Sequence, residues 1–161
     1  MEIRFARPED KPALIELALE NQQEMEHHRI SVNHQRVEEA LHALFELNQG
    51  SHVLFMAETS QGQLAGILMG CVERYYYSDE LQAQLVQWYV RKEFRGTSVA
   101  PRLVKAFVTW AKNRGASDVF MGISSGIDTH LTHRMMQRLG FNYLGGNYGV
   151  NLKEAGAQHH A

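Results

Sequence analysis

The chain has 161 residues, 44% hydrophobic and 21% charged, with a formal net charge of −2. That length suits one domain with its own core, and the balance excludes a disordered chain. The charge excludes a global basic field directed at nucleic acid, while a single cysteine, Cys71, excludes an internal disulfide or a Cys-based zinc site and fits a reducing compartment.

No apolar run approaches the ~20 residues of a membrane span, and the opening MEIRFARPEDK lacks the apolar core of a signal peptide. The expectation is a cytoplasmic protein that binds neither nucleic acid nor membrane. EIRFA alternates as a short strand, with Ile3 and Phe5 on one face. Pro8, Glu9 and Asp10 then suit the first turn of a helix, whose buried stripe is Ala13, Leu14, Leu17 and Ala18. ENQQEMEHHRISVNHQ is polar and weakly periodic, which predicts a helix end and a long loop. A second helix follows with Val37, Leu41, Leu44 and Phe45 inward, stopped at Gly50. HVLFMAET and QLAGILMGCVERYYY predict a hairpin turning at SQGQ, with a bulge or bend at Gly66 or Gly70. LQAQLVQWYV is a further strand. A helix over 99–113 buries Val99, Leu103, Phe107, Trp110 and Ala111 and ends at Gly115. DVFMGI, 118–123, predicts a buried strand, and His130–Arg138 a last helix closed by Gly140. FNYLGGNYGVNL predicts a final hairpin turning at Gly145-Gly146-Asn147. The order is β-α-α-β-β-β-α-β-α-β-β, a single α/β domain over 1–155 with a frayed tail over 156–161. Strand 81–90, helix 99–113 and strand 118–123 form a right-handed βαβ unit inside a mixed sheet.

One stretch, VRKEFRGTSVAPRLV at 90–104, carries chemistry. A helix N-terminus has unpaired N–H groups and a partial positive charge, and small residues there let an anion approach. Gly96, Thr97, Ser98 and Ala100 are small, and Pro101 removes an N–H that a first helical turn does not need. Arg91, Lys92, Arg95, Arg102 and Lys105 outnumber the single acid Glu93. The same residues also describe a capped helix with a solvated basic face. A P-loop and a Rossmann fingerprint are excluded, because the Lys-Ser/Thr pair and G-x-G-x-x-G are absent.

The segment Arg95-Gly96-Thr97-Ser98-Val99-Ala100, preceded by LVQWYV and followed by MMQRLGF at 135–141, resembles the signature of the GNAT (GCN5-related N-acetyltransferase) superfamily. Arg95 and Ala100 match the pattern Gln/Arg-x-x-Gly-x-Gly/Ala, and Ser98 replaces its central glycine. The resemblance implies a mixed, mostly antiparallel sheet with a central parallel βαβ wedge and helices on both faces. It also implies an N-acetyltransferase that uses acetyl-CoA as cosubstrate. The pyrophosphate is expected on the N–H groups of Thr97, Ser98, Val99 and Ala100 beside Gly96, with Arg95 and Arg102 adding charge. The pantetheine arm is expected along Trp88, Tyr89 and Val90, where a strand N–H would polarise the thioester carbonyl, with Ser124 in reach. Met136 falls where many relatives carry a proton-donating Tyr, and Thr129 where they carry an Asn.

These departures leave proton transfer to other groups. A thiolate leaves without full protonation when its pKa is near ~8.5. His133, one turn before Met136, is a candidate acid, and its alternative reading is an exposed polar residue; His130 reads as a helix cap. Relatives often carry an acid on the central strand, where this chain has Gln82, Gln84 and Gln87. Glu73 is therefore the candidate base, with Glu24, Glu26, His27 and His28 as rivals. Acidic and aromatic segments, ENQQEMEHH and ERYYYSDE, suit a cationic amine on a small molecule or peptide. No metal is expected, and a homodimer is, since such folds commonly dimerise. A non-catalytic acyl-CoA-binding or regulatory domain is the alternative.

Overall fold

A computed structural model of the chain describes residues 1–25, 31–150 and 152. Five strands lie in the order β1-β2-β3-β4-β5: β1 (Glu2–Phe5), β2 (His52–Glu58), β3 (Leu64–Arg74), β4 (Leu81–Val90) and β5 (Ala116–Phe120). The first four pair antiparallel and β5 joins β4 parallel. Four helices flank them: α1 (Lys11–Glu24), α2 (His34–His42), α3 (Val99–Asn113) and α4 (Thr129–Arg138).

Alternation on β2 sorts the two cores. Val53, Phe55 and Ala57 face α3, whose Val99, Leu103, Val104, Phe107 and Ala111 close that side together with Met136 of α4. Leu54 and Met56 face Leu14 and Leu17 of α1 and Leu41 of α2. The helices therefore cover both faces, as the resemblance implies, and the stripe expected on α3 is buried apart from Trp110, which is partly buried.

Register shifts interrupt three of the strand pairings, and the one between β3 and β4 shapes the site. Gly70 pairs with Leu85 but Met69 pairs with Gln87, so Val86 is an extra residue on β4. Such a bulge bends the strand and increases its twist. Gly70 faces α3, and a Cβ there would collide with the Phe107 ring and lie 3.0 Å from Gln84 O. Gly66 lets the strands approach, since its Cβ would sit 2.7 Å from Tyr89 O. The bend expected at these glycines is thus present, and close packing is its cause.

The helix end expected in ENQQEMEHHRISVNHQ falls at Glu24, with Asn21 buried at 8% exposure. Two expectations are corrected. The strand expected at 118–123 lies at Ala116–Phe120, since parallel pairing with β4 stops at Gln84/Phe120. The final hairpin is not formed: residues 141–150 hold no strand, and Tyr143, Leu144, Tyr148 and Val150 are exposed. Alternation alone does not make a strand without a partner ladder; here Asn147 Nδ2 instead donates to Ile123 O at 2.7 Å. The frayed tail lies outside the described residues.

Gly70→Ala should destabilise the fold by about 1–3 kcal/mol, the range for overpacking a core. The check is urea unfolding; a variant as stable as wild type would show that Phe107 does not depend on this gap.

Candidate active site

β4 runs on to Val90 after its pairing with β5 has ended at Gln84, while the chain after Phe120 turns toward α4. A cavity of about 810 Å³ fills the wedge. Its walls are Leu85–Val90, the corner Arg95–Thr97 with Ala100 and Pro101, the loop Gly122–Ser125, and one face of α4. Trp88, Tyr89, Val90, Arg95, Gly96, Thr97, Ala100 and Ser124 are thereby brought together.

The strand edge supplies polar groups. Arg91 N–H donates to Ala65 O at 2.9 Å, so alternation turns Tyr89 toward β3 and the peptide groups of Trp88 and Val90 toward the wedge. Arg95 Nε occupies the Val90 carbonyl at 2.9 Å. Among the described residues, the Trp88 indole N–H is buried with no hydrogen-bond partner. A buried donor left so costs about 1–3 kcal/mol. The peptide groups of Trp88 and Val90 on this edge suit an amide-rich ligand, so the wall fits a pantetheine arm.

The corner supplies an anion seat. Gly96 has φ +76, and nothing lies within 4 Å of an added Cβ. The left-handed backbone therefore requires the glycine, while the space beside it stays open. The Ser98 side chain makes no cap bond to α3. Thr97 Oγ1 donates to Phe94 O at 2.6 Å and meets Val99 N only at 3.4 Å. The first main-chain bond of α3 runs from Arg102 N to Ser98 O, which leaves Pro101 in the first turn, where an N–H is dispensable. Ser98 and Val99 do not line the cavity, and the Val99 side chain is fully buried. They reach this seat through their backbone alone.

Neither expected arginine is free for it. Arg102 lies outside the cavity and donates to Met1 O at 2.7 Å. Arg95 lines the wall, but its Nη2 donates to Glu24 Oε2 at 2.6 Å, and the guanidinium lies 5.6 Å from the Tyr89 ring centre. Tyr89 OH donates to the other Glu24 oxygen at 2.6 Å. One turn earlier on α1, Glu20 holds Arg91 through two bonds of 2.8 and 2.9 Å. Two carboxylates four residues apart thus fasten α1 to the end of β4.

Burial works to raise the Glu24 carboxyl, yet the bonds from Tyr89 and Arg95 outweigh it and hold it below the ordinary carboxylate range. Burial, and then Glu24, push the Tyr89 phenol up. Glu24 is therefore an anchor rather than a base. Of the other rivals, Glu26, His27 and His28 lie outside the described residues.

α4 divides the wedge from a second cavity of about 950 Å³, lined by His133, Met136, Gln82 and Gln84; the two share Gly122, Ile123 and Thr132. Met136 belongs to this second space and is buried at 8% exposure. His133 packs edge-on against Tyr143, ring centres 5.3 Å apart. Glu73 does not line it directly, but its Oε1 accepts from Gln82 and Gln84 at 3.3 and 3.2 Å. Burial, and next the Glu73 charge, push the Cys71 thiol up, which disfavours the thiolate. Of the ERYYYSDE segment, Tyr76 and Tyr77 are exposed, Arg74 pairs with Asp79 at 2.9 Å, and Tyr75 OH donates to Asp118 at 2.8 Å. Sequence reasoning missed Arg134 and Arg138 of α4, which line the wedge. Their spacing of four residues on an amphipathic helix was the available signal.

The family model described as the acetyltransferase (GNAT) family matches residues 13–141. A search of curated proteins finds no match. Among solved structures, glucosamine-6-phosphate N-acetyltransferase from Arabidopsis thaliana is similar at 16% identity and TM-score 0.73, over 94% of this chain and 97% of that one. A ribosomal-protein-alanine N-acetyltransferase from Brucella melitensis is similar at 14% and 0.70, over 94% and 100%. An aminoglycoside 6'-N-acetyltransferase from Acinetobacter haemolyticus is similar at 19% and 0.69, over 94% and 97%. No helix among the described residues is long and apolar enough to cross a membrane.

Glu24→Ala strands Arg95 and Tyr89, and should cost about 1–3 kcal/mol at pH 7. The folded carboxyl titrates below its unfolded value of ~4.3, so its contribution is full above that value and fades as pH falls through the folded one. Urea unfolding at pH 7 and pH 3 should show the gap to wild type shrinking in acid. An equal gap at both would refute this account of the anchor.

Proposed function

The chain belongs to the acetyltransferase (GNAT) family and is an acyltransferase whose donor is acetyl-CoA; within that activity, we propose that it moves acetyl directly to a primary amine of a cationic acceptor. The observation that carries this reading is the wedge itself, where a strand edge left by β5 and the helix corner at Gly96 line one cavity. Backbone N–H groups from Gly96 to Ala100 hold the pyrophosphate, and Trp88 and Val90 align the pantetheine arm, with Ser124 across the wedge. The donor brings an activated thioester, which β4 backbone donors orient and polarise.

The amine enters through the second cavity, which meets the wedge at Gly122, Ile123 and Thr132. Glu73, held behind Gln82 and Gln84 of that cavity, removes the proton through a water as the amine attacks. His133 returns a proton to the departing thiolate, a modest requirement for a group whose pKa is near ~8.5. Met136 has no proton to give, and packs. Direct transfer is the simpler course because Cys71, the only cysteine, lines neither cavity, and burial pushes its thiol up. A cationic acceptor suits Glu73 and the exposed Tyr76 and Tyr77. Structurally similar enzymes are named for aminoglycoside and glucosamine-6-phosphate acetylation, which places amines on small polar molecules first in a screen.

Thiol release from acetyl-CoA should rise above background with at least one amine from a panel of aminoglycosides, amino sugars, polyamines and peptide N-termini. Glu73→Gln should lower kcat for that amine about 10²-fold, the lower end for a general base, and leave acetyl-CoA binding in place. Unchanged kcat would remove Glu73 from the mechanism.

A further inference from the structure

The charge balance of the wedge does not close on the residues described so far. Its lining includes three arginines, Arg95, Arg134 and Arg138, and one acid, Asp128. Arg95 is paired with Glu24 at 2.6 Å. Arg134 and Arg138 make no hydrogen bond or ion pair with any described residue, and both are exposed. They lie four apart on α4, on the stripe of Leu131, Met135 and Leu139 that faces the wedge. Like charges at that spacing repel along the helix. An anion between them would turn that repulsion into attraction.

Resting on the acetyl-CoA reading of the wedge, we propose that Arg134 and Arg138 form a second anion site, which reads the ribose 3'-phosphate of the donor. A CoA thioester carries anionic charge in two places, the pyrophosphate and the 3'-phosphate. The pyrophosphate adjoins the pantetheine arm, so it belongs where β4 ends and α3 begins, on the open N–H groups beside Gly96. The ribose phosphate lies just beyond the pyrophosphate, away from the thioester, and needs a separate partner. α4 supplies one: Arg134 and Arg138 stand on its wedge-facing stripe, in the same cavity as the corner Arg95–Thr97. Each guanidinium presents a planar fork of donors matched to phosphate oxygens, whereas backbone N–H groups alone would not select for a further phosphate. The site makes the donor's terminal phosphate, and not only its thioester, a determinant of recognition.

Calorimetry with CoA and 3'-dephospho-CoA tests this on the full chain. Wild type should bind CoA tighter by on the order of tenfold or more, the scale of a charge-assisted hydrogen bond. In Arg134→Ala/Arg138→Ala that ratio should collapse toward one, and in the double lysine variant part of it should return. The ratio is internal to each protein, so a general loss of stability does not imitate the effect. A wild type that binds both ligands equally, or a double alanine variant that keeps the preference, overturns the proposal. Wild type binding neither ligand would overturn the donor reading of the wedge, and this proposal with it.

Discussion

A strand edge inside a protein must give its N–H and C=O groups to something, because burying them unpaired costs about as much as a hydrogen bond is worth. β4 meets β3 along one side but β5 only as far as Gln84 on the other. The remaining edge from Leu85 to Val90 faces a cavity. The helix corner, the facing loop and α4 are all arranged around that edge. The site is less an assembly of reactive side chains than a ladder left unfinished.

Several devices keep it unfinished. The extra residue Val86 bends β4 where its pairing with β5 has just ended. Gly70 admits Phe107 of α3 against the sheet, which draws that helix close, while the chain after β5 turns aside toward α4. Glu20 and Glu24 then hold the end of β4 from the opposite face through Arg91, Tyr89 and Arg95. Arg95 is central to this arrangement. Its charge serves the protein's own carboxylate, and its Nε closes the Val90 carbonyl, so the residue in the signature position shapes the slot.

The elements that local rules govern were readable in the chain: β4 at Leu81–Val90, α3 at Val99–Asn113, and the corner at Gly96 between them. Local rules fix these, since a left-handed Gly96 and a proline in the first helical turn need no knowledge of distant residues. The bulge was half legible. Gly70 announced a bend, but not that the inward side would change parity across Val86, from Ala83 and Leu85 to Trp88 and Val90. The anchoring carboxylate was not legible, because Glu24 meets Tyr89 and Arg95 across 65 and 71 residues of chain. Arg102 was misplaced for a similar reason. Composition puts it in the basic stretch, while the rotation of α3 turns it to Met1. The terminal hairpin was misread because alternation alone does not decide pairing: FNYLGGNYGVNL has it, yet residues 141–150 add no strand to the free edge of β5.

The shared carboxylate of Glu24 has one more implication, for the entropy of recognition. A pocket whose walls are tethered to one another before any ligand arrives has little conformational freedom left to lose. The chain from Glu24 through Arg95 to Val90 spans a helix, a loop corner and a strand with bonds of 2.6 and 2.9 Å. Ordering that would otherwise be charged against each encounter is completed when the protein folds. Selectivity at such a slot rests on shape and on which polar groups the visitor can match, and the protein's stability and its affinity draw on the same few contacts.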